Sequence, residues 1–252
     1  MVKVILYGCN GRMGSVLTDL IKEQSEMEVV AGIDVFTAER EYPVFPSLKD
    51  CSIKADVMID FSSPLSVHQY IPIAVTQHLP VVVATTGLKE AELNLLEKAS
   101  SSIAIFRSAN MSIGINLLQE LLQSATKVLM DRFDIEIIEK HHHFKKDAPS
   151  GTALKISEVL AGGMDWNLGD VAVYDRHGMI GERKTREIGI QTVRAGDIIG
   201  DHTVLFGGPG ERIEITHRAH TRDTFALGAL RAAEWVVKQP PGLYTMADVL
   251  GL

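Results

Sequence analysis

The chain has 252 residues, 46% hydrophobic and 23% charged, which supplies apolar material for one large core or two smaller ones and excludes disorder, collagen and small disulfide scaffolds. With 25 Lys and Arg against 32 Asp and Glu, the formal charge is −7 and the pI is near 5.7, the opposite of a nucleic-acid or anionic-membrane binder. Any anionic ligand must therefore be met by a local basic cluster.

Val2–Tyr7 reads as a strand, and its apolar run is too short for a secretion signal. Cys9 and Cys51 fit neither a disulfide framework nor a zinc motif, and no membrane-length apolar stretch follows, so a cytoplasmic, soluble protein is expected. A glycine-punctuated turn leads into residues 13–24, where Met13, Val16, Leu17, Leu20 and Ile21 recur at helical spacing. Apolar runs at 29–33 and 80–84 and strands at 57–61 and near 103–106 are interleaved with a helix opened by Ser63 and Pro64 and another around 89–100. Continuous apolar strands are buried on both faces, so the fold class is α/β, beginning with a Rossmann-like, doubly wound parallel sheet.

After Asn110 the pattern changes. An apolar helix through Ile115, Leu117, Leu118, Leu121, Leu122 and Val128 precedes 133–139, where Phe133, Ile135 and Ile137 alternate with Asp134 and Glu136. Further β-like runs at 187–194, 198–206 and 212–217 are joined by Gly196-Asp197 and by 207–210, both read as hairpin connections. A second, α+β domain with a mixed or antiparallel sheet is the expectation. Residues 224–238 return to helical period, and their apolar face of Phe225, Leu227, Leu230 and Trp235 is expected to dock on the first domain. The expected domains are 1–111 with 222–252, and 112–221, with hinges at 108–112 and 218–222.

Gly8-Cys9-Asn10-Gly11-Arg12-Met13-Gly14 lies between the first strand and the first helix, where glycines let a pyrophosphate rest on amides at the positive end of the helix. Asp34 closes the second strand, where an acid accepts the ribose hydroxyls of NAD. A glycine turn with no ligand competes with this reading, but strand, helix and acid are all in place. Asp34 would repel a 2′-phosphate and Val35 offers no cation, so NADH is favoured, with Arg12 as the only nearby candidate for holding NADPH.

The second concentration of chemistry is the segment 139–153. Lys140, His141, His142, His143, Lys145 and Lys146 fall within seven residues, and Ser150-Gly151-Thr152 opens a helix at 152–160. In an acidic protein this predicts a site for a small, multiply anionic substrate, with the helix start suited to a carboxylate. A solvated loop is one alternative and metal binding by His141 and His143 another; adjacent lysines oppose a cation, and no metal is expected.

Gly-x-x-Gly-Arg-Met-Gly at 8–14, Glu-x-His-His-x-x-Lys-x-Asp-Ala-Pro-Ser-Gly-Thr-Ala at 139–153 and Val193-Arg194-Ala195-Gly196 resemble the 4-hydroxy-tetrahydrodipicolinate reductases. The resemblance spans the whole chain. It implies reduction of that hydroxylated dicarboxylate to tetrahydrodipicolinate by NAD(P)H, with loss of water, in diaminopimelate and lysine biosynthesis. It makes the first domain dinucleotide-binding and the second substrate-binding, and it implies a homotetramer. Carried over by position, His141 resembles the catalytic histidine and Lys145 the proton donor, while His142, Gly151 and Thr152 resemble contacts to the substrate carboxylates. On the cofactor side, Gly8, Cys9, Asn10, Gly11, Arg12, Met13 and Asp34 are joined by Ala84, Thr85 and Thr86 beside the nicotinamide ribose. Ser108, Ala109, Asn110 and Met111 resemble the segment near the nicotinamide ring, with Met111 where the family often has Phe. Arg222 resembles an arginine that touches ligand on closure or serves as a surface ion pair, and Arg194 and Asp197 are either structural or part of a subunit contact. Two rivals, another NAD(P)-dependent dehydrogenase of small amino or keto acids and a non-catalytic NAD sensor, leave the 139–153 cluster unexplained.

Overall fold

The computed structural model describes residues 1–36, 38–129 and 132–252. In chain order the first stretch contains β1 (Val2–Tyr7), α1 (Arg12–Lys22), β2 (Met27–Ile33), β3 (Val44–Phe45), β4 (Val57–Asp60), α2 (Pro64–Thr76), β5 (Val81–Val83), α3 (Glu90–Ser100) and β6 (Ala104–Arg107). Next come α4 (Ile113–Leu129), β7 (Asp134–His141), α5 (Gly151–Gly163), α6 (Leu168–Val171), β8 (Ala172–Val173), β9 (Ile188–Arg194), β10 (Gly200–Gly208) and β11 (Glu211–Ala219). The chain ends with α7 (Asp223–Val236), β12 (Gly242–Tyr244) and α8 (Met246–Leu250). Two compact units result, one formed by Met1–Ile113 with Arg222–Leu252 and the other by Gly114–Thr221.

Among the described residues, the first unit holds a seven-stranded sheet in the order β12-β6-β5-β4-β1-β2-β3, with every neighbouring pair parallel. Read from β3, this is the doubly wound order in which the chain reverses direction beside β1, placing the glycine turn at the carboxyl ends of the strands. Val4, Ile5, Leu6, Val57, Met58, Ile59, Val81, Val82 and Val83 are at most 1% exposed, as the uninterrupted apolar runs require. The sheet separates two apolar clusters, one under α1 and α7 and the other under α2 and α3.

The docked face of α7 is finer-grained than the sequence suggests. Ala226, Ala229, Leu230, Ala232, Ala233 and Val236 are buried, Phe225 and Trp235 pack partly against the same cluster, and Leu227 is 45% exposed, against expectation. The helix lies so close to the Met111 carbonyl that a Cβ at Gly228 would meet it at 1.8 Å. Small residues therefore define the buried stripe, and Leu227, about 100° around from Ala226, falls outside it.

The second unit carries a five-stranded mixed sheet in the order β11-β10-β7-β9-β8 among the described residues. β10 is antiparallel to both β11 and β7, while β9 is parallel to β7 and to β8. The turn at 209–210 closes a true hairpin, with Gly208 opposite Glu211 and Gly210 at φ +81°. The connection at Gly196-Asp197 is not a hairpin, because β7 is inserted between β9 and β10. On α4 only Ile115, Leu118, Leu122 and Thr126 form the buried stripe; Leu117, Leu121 and Val128 are 43%, 47% and 81% exposed. The apolar residues encircle this helix, whereas the core of the unit covers one side of it.

Candidate active site

The glycine loop follows β1 directly. Gly8 has φ +82°, and a Cβ there would lie 2.8 Å from the Phe61 carbonyl oxygen, so the turn and the neighbouring backbone both require glycine. At Gly14 a Cβ would lie 2.4 Å from the Gly8 oxygen, which keeps α1 packed against the loop. Gly11 precedes helix α1 as its cap position, with no side-chain cap and no acid in the first turn. The Asn10 amide is already bonded to Asp34 Oδ2 at 2.9 Å and the Gly11 amide to Gly8 O at 3.1 Å. The Arg12 and Met13 amides, which have no acceptor inside the helix, are the donors suited to a diphosphate. A cradle that side chains would fill, at an uncapped helix start, fits a dinucleotide.

Asp34 also accepts from the Phe36 amide at 3.0 Å, and the Asn10 side-chain amide donates to the Phe36 carbonyl. The reading of Arg12 as the only nearby cation is overturned. The Arg40 guanidinium donates to Asn10 Oδ1 at 2.9 Å, Cys9 O at 3.0 Å and Ser15 Oγ at 2.9 Å. No local spacing announces it, because the chain must fold back from β2 to bring it there. Cys9 and Met111 are 0% and 2% exposed, with their side chains in the core, so backbone is what they present.

At the end of β4, Asp60 is fully buried and receives Tyr70 Oη at 2.9 Å, Thr85 Oγ1 at 2.8 Å, the Ser62 amide at 3.0 Å and the Ser62 hydroxyl. Burial raises its pKa, and these bonds only partly oppose the rise. The Thr85 hydroxyl also accepts from the Ser62 amide at 3.0 Å, so it is engaged in joining the ends of β4 and β5. Ser108 Oγ donates to the Asn110 carbonyl at 2.7 Å and Asn110 Oδ1 accepts from the Ser112 amide at 2.9 Å, shaping the segment after β6. Ala84 is buried, while Thr86 and Ala109 are exposed.

In the second unit the basic segment leaves β7 as a compact loop. The His142 amide donates to Ile198 O at 2.7 Å, the His143 amide to Gly196 O at 3.2 Å, and the Lys145 amide to His142 O at 3.2 Å. Lys145 Nζ lies 2.9 Å from Asp147 Oδ1, and His143 packs on Phe144 with ring centroids 3.8 Å apart. Ser150 Oγ caps α5 by accepting from the Ala153 amide at 3.2 Å and meets His202 Nε2 at 3.2 Å. Gly151 is exposed, and a Cβ there would meet nothing within 4 Å, which leaves open space at the helix start beside half-buried Thr152. Among the described residues no cluster of three His, Cys, Asp or Glu could hold a metal ion.

Beneath this loop lies a network that motif reading did not assign. Glu139, fully buried, accepts both terminal nitrogens of Arg194 at 2.9 Å, the Ser150 amide at 3.0 Å and Thr192 Oγ1 at 3.2 Å, and it faces His141 Nδ1 at 2.5 Å. Burial alone would raise the Glu139 carboxyl, but bonds from His141, Arg194 and the Ser150 amide outweigh it and hold the pKa at about 2. His202, its ring centroid 5.2 Å from that of His141, is pushed down to about 3 by burial first and then by His141. Glu139 and Arg194 each lie in a quoted motif, but they are 55 residues apart and no local signal pairs them.

Comparison with known proteins agrees over both units. The dihydrodipicolinate reductase N-terminus model matches residues 2–111 and the C-terminus model residues 114–250. The 4-hydroxy-tetrahydrodipicolinate reductase of Caldanaerobacter subterraneus subsp. tengcongensis is 49% identical, covering 99% of this chain and 98% of its own length. That of Clostridium tetani is 45% identical, covering 99% and 97%. A dipicolinate-bound dihydrodipicolinate reductase from Paenisporosarcina sp. TG-14 superposes with TM-score 0.79 at 27% identity, covering 97% of each chain. A myo-inositol dehydrogenase from Corynebacterium glutamicum shares the fold alone, at TM-score 0.60 and 13% identity, over 96% of this chain and 90% of its own. Two family models laid end to end, and relatives alike along their full length, place this chain in the dihydrodipicolinate reductase family, whose members are NAD(P)H-dependent oxidoreductases.

Proposed function

We propose that the chain reduces 4-hydroxy-tetrahydrodipicolinate to tetrahydrodipicolinate, with loss of water, in the diaminopimelate route to lysine. The observation that carries the residue assignment is the gathering of His141, Lys145 and the open start of α5 at one end of the second unit's sheet, within an acidic chain. Bound NAD(P)H supplies the hydride from nicotinamide C4. After water leaves, the substrate ring is unsaturated in conjugation with its imine, so the hydride builds negative charge that a proton must quench. Lys145 is the general acid, and His141 assists it. His142, Gly151 and Thr152 hold the two carboxylates, with Asp147 yielding Lys145 to the dianion. The products are tetrahydrodipicolinate, water and the oxidised dinucleotide.

The dinucleotide is held by the Gly8–Met13 loop, by Asp34 at the adenosine ribose, and by 84–86 and 108–111 at the nicotinamide end. Both dinucleotides serve, with NADH favoured because Asp34 faces the 2′ position, and Arg40 moderating that preference. The active form is a homotetramer built on the second unit, in keeping with Ile138, Leu205 and the 38%-exposed Val193 on the outer side of its sheet. No helix among the described residues is long and apolar enough to cross a membrane. A cytoplasmic location suits an enzyme of dinucleotide chemistry with two buried free thiols.

The test is an assay in which the synthase that makes the unstable substrate feeds this protein while loss of absorbance is followed with NADH and with NADPH. Oxidation of both, with kcat/KM higher for NADH, is the expected result; no oxidation of either ends the proposal. Lys145→Ala should lower kcat by about 10²–10⁴-fold with NADH affinity unchanged.

A further inference from the structure

We propose that Glu139 and Arg194 form a buried clamp that fixes His141 with its ring hydrogen on Nδ1, so that Nε2 is the nitrogen offered to the substrate; this rests on the reading of His141 given above. The geometry leaves Glu139 as the acceptor of that hydrogen. Its Oε2 lies 2.5 Å from His141 Nδ1, and an ionised carboxylate has no hydrogen to donate. Arg194 meets it with both terminal nitrogens at 2.9 Å and is itself tied to the Asp147 carbonyl at 2.6 Å, so the fork cannot swing away without breaking several bonds. The Ser150 amide on Glu139 Oε1 joins the same carboxylate to the start of α5, where the substrate carboxylates are placed.

Two further features give the clamp a purpose beyond holding the fold. First, a buried unpaired carboxylate would repel a dianion a few ångströms away, and Arg194 cancels that charge while leaving the basic loop positive. Second, Gly200 on β10 lies beside the Nε2 side of the ring, and a Cβ there would lie 3.1 Å from His141 Nε2. Glycine keeps that nitrogen uncovered. The groups beside His141 are Glu139 on its own strand, Arg194 in register with it on β9, and His202 on β10. None of the others touches Nδ1 among the described residues. Glu139 and Arg194 are thus positioning residues, which act through His141.

The experiment uses full-length protein labelled with ¹⁵N at histidine, with the His141 signals identified by their loss in His141→Gln. Wild type should show the hydrogen on Nδ1. In Glu139→Gln the amide oxygen satisfies Arg194 and the NH₂ turns to the ring, so the hydrogen should move to Nε2 and kcat should fall about 10²-fold while KM for NADH holds. Gly200→Ala should keep the tautomer and still lower kcat at least tenfold. A wild-type hydrogen on Nε2, an unmoved tautomer in Glu139→Gln, or full kcat in either variant would overturn the clamp. Correct tautomers in a protein that does not turn over synthase product would instead sink the reductase reading and leave the clamp standing.

Discussion

Each unit buries one carboxylate under its site, and the two are held by different chemistry. Asp60 receives only neutral donors, from Tyr70, Thr85 and Ser62, and its pKa rises with burial. Glu139 receives Arg194 and His141 as well as the Ser150 amide, and its pKa falls to about 2. Depth alone therefore does not set the charge of a buried acid; the charge of its partners does. The first arrangement joins the ends of β4 and β5 through neutral groups. The second stands under the proposed anion site, where the proposed clamp needs the carboxylate to orient a histidine and Arg194 to cancel its charge.

The difference can be broken at its counter-charge. Arg194→Ala strands Glu139 without a cation, which should cost about 3–5 kcal/mol and lower Tm by about 10 °C in scanning calorimetry. A shift below about 2 °C would mean that the pair is not compensated as described. Acid comes next. A carboxyl that titrates near 4.5 when unfolded and at about 2 when folded stabilises the fold fully above the first value, and that contribution drains away as pH falls toward the second. Urea curves for parent and Glu139→Gln should accordingly converge by about 3 kcal/mol over that interval. For Asp60 the slope is reversed, because a raised folded pKa makes the parent lose ground as pH climbs above 3.8. Asp60→Asn, which keeps one acceptor and removes the buried charge, should change stability by about 1 kcal/mol or less at neutral pH. A larger loss there would make the two carboxylates alike after all.

The parallel sheet was legible because continuous apolar runs such as Val81–Val83 have one physical solution, burial on both faces. The glycine loop was legible because its context is local: strand, turn and helix are contiguous. What escaped was decided by distance. Gly196-Asp197 carries hairpin turn chemistry, yet pairing with β7 takes precedence, and no turn residue can report the insertion of an earlier strand. Leu227 and Leu117 fit a helical period, but period does not say how wide a stripe the neighbours will cover. Glu139 sat in plain view within a basic segment, and its meaning depended on an arginine that the chain supplies two strands later. Arg40 reached the glycine loop by the same kind of return.

The insertion of β7 between β9 and β10 has a last consequence. A strand bonded along both edges is the last part of a sheet to exchange its amide hydrogens with solvent, since it opens only when both neighbours have parted. His141 rides on that strand, so breathing at the rim of the sheet can loosen β8 or β11 without disturbing it. The basic loop thus hangs from a strand that is held on both sides.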